Sequence, residues 1–158
     1  MATRSNNYFD RARASSAAGL VAAGAAAIVG SVLDWVTVAP PIVVPVRQVH
    51  QTEPFTGIEA GDGQVVIGAA IGIIVCAALM MWRKKGLYAW LAFVTSMLIG
   101  GIAIADYRGI DTLFYQEMNR IGDPAPAFGL QLVVLSALIG LIASIAGIAA
   151  SPHVEEEE

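Results

Sequence analysis

Charged residues are scarce in this chain, and its long apolar runs contain none. Only 14% of the 158 residues are Asp, Glu, Lys or Arg, whereas 56% are hydrophobic, and the mean hydropathy is +0.66. This composition lies well outside that of soluble domains. Cysteine occurs once, at Cys76, so that no internal disulfide can form. A disulfide scaffold is therefore excluded, and we expect a membrane protein.

Four uncharged runs are long enough to cross a bilayer as helices. About 20 helical residues span the hydrocarbon layer. The predicted fold class is all-α, an integral membrane four-helix bundle that forms a single domain over residues 1–158. The uncharged runs are residues 14–33, 64–82, 86–105 and 127–150. The predicted spans, which include boundary residues at two outer ends, are residues 14–38, 64–82, 86–106 and 127–150.

A cleaved signal peptide is the alternative interpretation of the first run, because Arg11 and Arg13 precede it and the small residues Thr37 to Ala39 follow it. The run is longer than the apolar core of a signal peptide, which has about 7–15 residues. Trp35 also lies where an interfacial anchor is expected. We therefore favour a retained span; cleavage would leave three.

The basic residues predict the orientation of the bundle, because cytoplasmic segments carry an excess of Lys and Arg. One side has six of them and the other has three. We therefore place both termini and the hairpin 83–85 in the cytoplasm, and the loops 39–63 and 107–126 on the exoplasmic side. The six are Arg4, Arg11, Arg13, Arg83, Lys84 and Lys85.

The predicted exoplasmic side is acidic, with eight carboxylates against three basic residues. Such a surface favours cations or basic partners and argues against nucleic acid. Asp34 and Asp106 lie at the outer ends of their spans, where Arg108 is a possible partner of both. The possible exoplasmic polar cluster consists of Asp34, His50, Glu53, Glu59, Asp106 and Arg108.

His50 and Glu53 are three residues apart, a spacing that would place both on one face of a helix and supply two metal ligands. A closed zinc site needs four ligands. The other histidine, His153, lies on the predicted cytoplasmic side. We therefore favour a surface His–Glu pair, and the sequence predicts no catalytic, cofactor-binding or metal-binding residues.

The stretch GIEAGDG, residues 57–63, directly precedes the second apolar run. Aspartate is a preferred N-cap residue, and its charge is favourable at the positive end of the helix dipole. We therefore predict that Asp62 caps the helix and has no catalytic role. Glu59 has no such duty in this interpretation and is available for a partner or a cation.

The second exoplasmic loop contains an apolar stripe at helical spacing, which predicts a short amphipathic helix. A position at the outer interface and docking on a partner protein both agree with this pattern. The residues of the stripe are Ile110, Leu113, Phe114, Met118 and Ile121.

Small residues recur at four-residue spacing in the predicted spans. Residues four apart share a helix face, where they allow the backbone of a neighbouring helix to approach closely. We expect this packing to be within the bundle rather than between two copies. The glycines that we single out are Gly68, Gly72, Gly100 and Gly140.

With these residues in view, the chain resembles uncharacterised four-span inner-membrane proteins of actinobacteria. The resemblance is carried by DWVTV at Asp34 to Val38 and by GIEAGDG at Gly57 to Gly63, and it covers about the first half of the chain. It implies a multi-pass protein of the bacterial cytoplasmic membrane and no known activity.

We expect a non-enzymatic protein without cofactor, an accessory or assembly subunit of a larger envelope or respiratory complex. Its expected partners are the lipid bilayer and other membrane protein subunits, not nucleic acid. This expectation follows from the absence of a nucleophile–base pair, a phosphate loop or a cofactor motif in the sequence. The alternatives are a small transporter or channel that acts as a homo-oligomer, and an exoplasmic metal- or ligand-binding membrane protein.

Overall fold

The computed structural model describes residues 2–39, 55–60, 62–110 and 123–151. These residues form five helices and three short strands. In chain order, the elements are α1 (Ala2–Val32), β1 (Asp34–Ala39), β2 (Phe55–Thr56), α2 (Gly57–Ala60), α3 (Asp62–Arg83), α4 (Leu87–Arg108), β3 (Asp123–Pro126) and α5 (Phe128–Ala149).

Within these ranges, four helices are long and apolar enough to cross a membrane. They are α3, α4, α5 and the part of α1 from Tyr8 to Val32. The prediction of a multi-pass helical membrane protein is thereby confirmed at this coarse level. Helices α3, α4 and α5 also coincide with the last three predicted spans to within two residues at each end.

The four long helices form a ring of neighbours. Helix α1 packs against α3 and α5, and α4 packs against the same two helices. Since only three residues join α3 to α4, these two helices run antiparallel. The centre of the bundle is filled by fully buried side chains, which include Leu20, Ile73, Met80, Ile99 and Val133.

The first predicted span, residues 14–38, is wrong at its C-terminal end. Helix α1 runs from Ala2 to Val32, and after Leu33 the six residues Asp34–Ala39 form strand β1. The sequence from Trp35 to Val38 is aromatic and β-branched, a composition that favours strands over helices. The bundle is therefore not purely all-α, because three strands close one of its ends.

Strand β1 is the centre of a sheet with the order β2-β1-β3, and both neighbours are antiparallel to it. Two backbone hydrogen bonds hold the helix ends around this sheet. The Gly57 N–H donates to the Leu33 carbonyl at 3.3 Å, and the Ala127 N–H donates to the Trp35 carbonyl at 2.8 Å. The end of α1 and the starts of α2 and α5 are thus held together at one end of the bundle, which we call the sheet end.

Trp35 is a core residue of the sheet end and not the interfacial anchor that the sequence predicted. Its side chain is only 1% exposed, and its Nε1–H donates to the Gly30 carbonyl at 2.9 Å. The indole lies directly against Gly57, where a Cβ would overlap the ring. A glycine at this position is therefore what allows the tryptophan to be buried under the start of α2.

Helices α1 and α5 approach each other closely through glycines. A Cβ on Gly129 would lie 2.7 Å from the carbonyl oxygens of both Gly30 and Asp34. Farther along α5, a Cβ on Gly140 would lie 2.5 Å from Ser96 Oγ in α4, and Gly100 of α4 lies beside Ala137 of α5. Gly140 and Gly100 therefore face neighbouring helices. Gly30 and Gly129 were not among the glycines predicted to pack.

Gly68 and Gly72 do not pack against the described residues, contrary to our expectation. A Cβ added at either glycine would meet no atom within 4 Å among the described residues. The buried residues of α3, such as Val66, Ala70 and Ala77, lie on the other side of the helix. The four-residue spacing identifies a shared face but does not say which way that face points.

The hydroxyl groups of the helices bond to backbone carbonyls. Ser96 Oγ donates to Ala92, Ser144 Oγ to Gly140 and Thr95 Oγ1 to Leu91, each within its own helix and at 2.7–2.8 Å. Such bonds satisfy a hydroxyl in an apolar environment. Ser16 is different, because its buried Oγ donates across to the Ala143 carbonyl of α5 at 2.6 Å.

Candidate functional site

The predicted polar cluster lies in part at the sheet end. Asp34 begins β1 and is half-buried, Asp106 is 8% exposed in the last turn of α4, and Arg108 ends α4 with an exposed side chain. In the described part of the chain, no ion pair joins Arg108 to Asp34 or Asp106, although Asp106 has an interaction of its own. The Asp106 carboxylate is therefore buried, whereas the Arg108 guanidinium group is exposed.

Glu59 has a structural role at the start of α2, which the sequence did not predict. Its Oε2 accepts hydrogen bonds from the Thr56 backbone N–H at 3.0 Å and from Thr56 Oγ1 at 3.1 Å. The Glu59 N–H donates in return to Thr56 Oγ1 at 3.4 Å. This reciprocal pattern is a capping box at the start of α2. The spacing of Thr56 and Glu59 in the sequence is the signal that would have found it.

Asp62 is the first residue of α3, and its exposed side chain lies in the first turn of that helix. Its negative charge there is favourable at the positive end of the helix dipole. The next residue, Gly63, packs on the backbone of Gly57, where no Cβ would fit. The acidic stretch that precedes α3 thus contributes to helix starts and to a close chain crossing.

The other two members of the cluster, His50 and Glu53, lie outside the described residues. Over the ranges that the structure describes, no three His, Cys, Asp or Glu side chains come together as a possible metal site. The predicted amphipathic helix also falls outside these ranges after its first residue, Ile110, which is buried.

A groove between α4 and α5 begins near the sheet end. It consists of two neighbouring cavities of about 260 and 220 Å³. Ile104 and Val134 line both cavities, so that the two lie side by side along the helices. We call this feature the α4–α5 groove. Its lining residues include Arg108, Tyr107 and Gln131 at one end, and Met97 and Leu141 at the other.

The opposite end of the bundle contains the turn between α3 and α4, and we call it the hairpin end. Asp10 of α1 lies 3.5 Å from Arg13 Nη1 and 3.4 Å from Lys84 Nζ. Lys84 has a φ of 54°, a left-handed conformation that ends α3 and is more usual for glycine. Trp82 is 76% exposed, as expected of an aromatic residue at a membrane boundary.

Comparisons with protein-family models, with curated proteins and with solved structures returned no match. The function is therefore argued from the surfaces described above.

Proposed function

We propose that this chain is a non-enzymatic, polytopic membrane protein that serves as an accessory or assembly subunit of a larger bacterial envelope or respiratory membrane complex. The observation that carries the proposal is the outward face of α3. Gly68 and Gly72 lie there in open space, with Val65, Ile71 and Val75 exposed around them. This face is apolar, has small residues four positions apart and is not covered by the other described residues.

Glycine has a cost in the middle of a helix, about 1 kcal/mol relative to alanine. Where glycine allows close helix packing, as at Gly129, that packing offsets the cost. At Gly68 and Gly72, none of the described helices approaches. A helix of another subunit would supply the missing contact, because small residues at this spacing let two backbones come close together in a membrane.

The hydroxyls of the described spans support a packing role in preference to a transport role. Thr95, Ser96 and Ser144 each donate a hydrogen bond to a carbonyl of their own helix, which satisfies the hydroxyl without a transported ligand. Neither transport nor metal binding is favoured by an observation on the described residues, and neither is proposed.

Gentle solubilisation from native membranes, followed by mass measurement, tests the proposal. The parent chain should be recovered with other membrane proteins. A variant with Gly68→Leu and Gly72→Leu should be recovered without them, because the new side chains prevent close approach. The matched control combines Ala18→Leu and Ala22→Leu, which add the same bulk at two exposed positions four residues apart on α1, and it should behave as the parent does.

A monodisperse particle that contains only one copy of the parent chain would contradict the proposal. A particle that contains several copies of this chain alone would contradict it as well, and would favour a homo-oligomer. Since Leu at Gly68 or Gly72 meets no described atom within 4 Å at its Cβ, loss of partners in the double variant is not expected to reflect misfolding. Thermal unfolding of the purified variant checks this point.

A further inference from the structure

The geometry points to a lipid-binding site: we propose that the α4–α5 groove holds an acyl chain of an anionic phospholipid, whose phosphate is bound by Arg108 and Gln131. This site is separate from the outward face of α3, and its test uses the purified protein alone.

The groove has the length of one leaflet. Along α4, its lining runs from Met97 to Arg108, and along α5 from Gln131 to Leu141. With a rise of 1.5 Å per residue, each stretch is roughly 15 Å long. This is about half of the hydrocarbon thickness of a bilayer, which is about 30 Å. An acyl chain that enters from the sheet end would therefore reach about the midplane.

Small residues make room for a chain on the floor of the groove. Gly100, Gly101 and Ala137 line its inner half, and a Cβ on Gly101 would meet no atom within 4 Å. The walls are larger apolar side chains, among them Met97 and Leu138, which are about half exposed. A floor of small residues between such walls fits a slender apolar ligand.

Among the described residues of the groove, the polar ones lie at the sheet end. Arg108 is the last residue of α4, and Gln131 lies in the first turn of α5, so both are at the boundary of the membrane spans. The guanidinium group binds phosphate oxygens with two parallel hydrogen bonds, and the amide of Gln131 is a further donor. The positive end of the α5 dipole adds to the attraction for an anion.

The acidic residues of the sheet end do not oppose this arrangement at the groove itself. Arg108 is the only charged residue among the described residues that line it. Asp106 is enclosed within the bundle, and the Glu59 carboxylate is bonded to Thr56. Among the described residues that line the groove, the charge that a headgroup would meet is therefore that of Arg108, although the predicted exoplasmic side as a whole is acidic.

Photochemical crosslinking with mapped products tests the site. The protein is reconstituted into phosphatidylcholine vesicles that contain a small share of diazirine-labelled phosphatidylglycerol or, in parallel, diazirine-labelled phosphatidylcholine with the same acyl chains. Crosslinks are then assigned to peptides by mass spectrometry. We expect labelling of α4 between Met97 and Arg108 and of α5 between Gln131 and Leu141. Both headgroups carry a phosphate, but the choline cation of phosphatidylcholine is repelled by Arg108, so we expect a preference for phosphatidylglycerol of roughly tenfold.

Two variants separate the headgroup from the chain. Arg108→Gln should abolish the preference for phosphatidylglycerol in the groove and leave labelling at the basic hairpin end unchanged. Gly101→Leu should reduce groove labelling by both lipids, because its side chain fills the floor. The control is Ala22→Leu, which places the same side chain at an exposed position of α1 away from the groove and should leave the groove labelling unchanged.

Three results would overturn the proposal. If labelling is uniform around the whole bundle, the groove binds lipid no better than the rest of the lipid-facing surface does. If the two lipids label the groove equally, and Arg108→Gln does not change this labelling, then Arg108 does not bind the phosphate. Absence of crosslinks in the groove would show that something other than lipid, such as a protein helix, occupies it. Thermal unfolding of each variant confirms that the fold is retained.

Discussion

Glycine occurs both in the contact between α1 and α5 and on the outward face of α3, but its surroundings are opposite in the two places. At the first, Gly30 and Gly129 bring two backbones together. At the second, Gly68 and Gly72 meet nothing in the described structure. Burial follows the same division, since 44% of the candidate span in α1 and 39% of that in α5 are buried, against 28% in each of α3 and α4. A glycine in a membrane helix is therefore no evidence of packing inside its own chain.

The comparison also shows where the stability of the isolated protein resides. In lipid, helices gain little from burying apolar surface against each other, and close packing and hydrogen bonds between helices hold them together instead. Both occur between α1 and α5, through Gly129 and through the bond from Ser16 to the Ala143 carbonyl. Substitutions there should cost stability, whereas substitutions on the outward face of α3 should affect association with partners.

The largest effect is expected from Gly129→Ala. The new methyl group would lie 2.7 Å from two backbone oxygens, which cannot move aside as the end of a side chain can. We expect a loss of about 1–3 kcal/mol in the free energy of unfolding, measured by thermal or denaturant unfolding in detergent. An unchanged unfolding temperature would mean that α1 and α5 are not this close.

A smaller loss, about 1 kcal/mol, is expected from Gly140→Ala. The obstacle is Ser96 Oγ, a small group on a rotatable bond, at 2.5 Å from the added Cβ. Removal of this oxygen by Ser96→Ala should recover part of the loss. A double-mutant cycle measures this coupling, and strictly additive effects would show that the two residues are not in contact.

Ser16→Ala should cost roughly 0.6–1 kcal/mol, as expected for one hydrogen bond between membrane helices. The lost bond is the one from Ser16 Oγ to the Ala143 carbonyl at 2.6 Å. The matched control is Ser144→Ala, which removes only a bond within α5 and should leave the unfolding temperature close to that of the parent. Equal losses in both variants would remove the distinction between the two bonds.

Gly68→Ala should have the smallest effect and the opposite sign. Alanine is the better helix former, and its methyl group would meet no described atom within 4 Å. We expect a gain below about 1 kcal/mol in the free energy of unfolding of the purified protein. A loss would indicate that this face is already covered, for example by a second copy of the chain, and size-exclusion chromatography would detect that copy.

Some local features of the fold follow from short stretches of residues alone. The ends of α3, α4 and α5 follow from the limits of their uncharged runs. The capping box has its signal in the spacing of Thr56 and Glu59, but the sequence analysis considered Asp62 alone at this point. Strand β1 was missed because the predicted span was extended past Asp34, where the uncharged run ends, to include Trp35 as an interfacial anchor. The aromatic and β-branched residues from Trp35 to Val38 were the local signal of a strand.

The candidate sites were harder to predict, because they depend on contacts between distant parts of the chain. Arg108 was named as a partner of aspartates, and the structure places it beside Gln131 at the mouth of the α4–α5 groove. Trp35 was placed at the interface with lipid, and it is buried against Gly57 and bonded to Gly30. Neither the position of Arg108 at the groove nor the burial of Trp35 has a signature in the spacing of neighbouring residues.

The sequence by itself determined the class of the protein and the number of its long apolar helices, because crossing a bilayer requires a length and a hydropathy that are local properties of each run. Only the tertiary structure decided which face of each helix is packed. In a soluble helix, polar residues mark the outer face. Here the inward and the lipid-facing sides are both apolar, so that the rotation of α3, which leaves Gly68 outside, follows from its packing against α1 and α4.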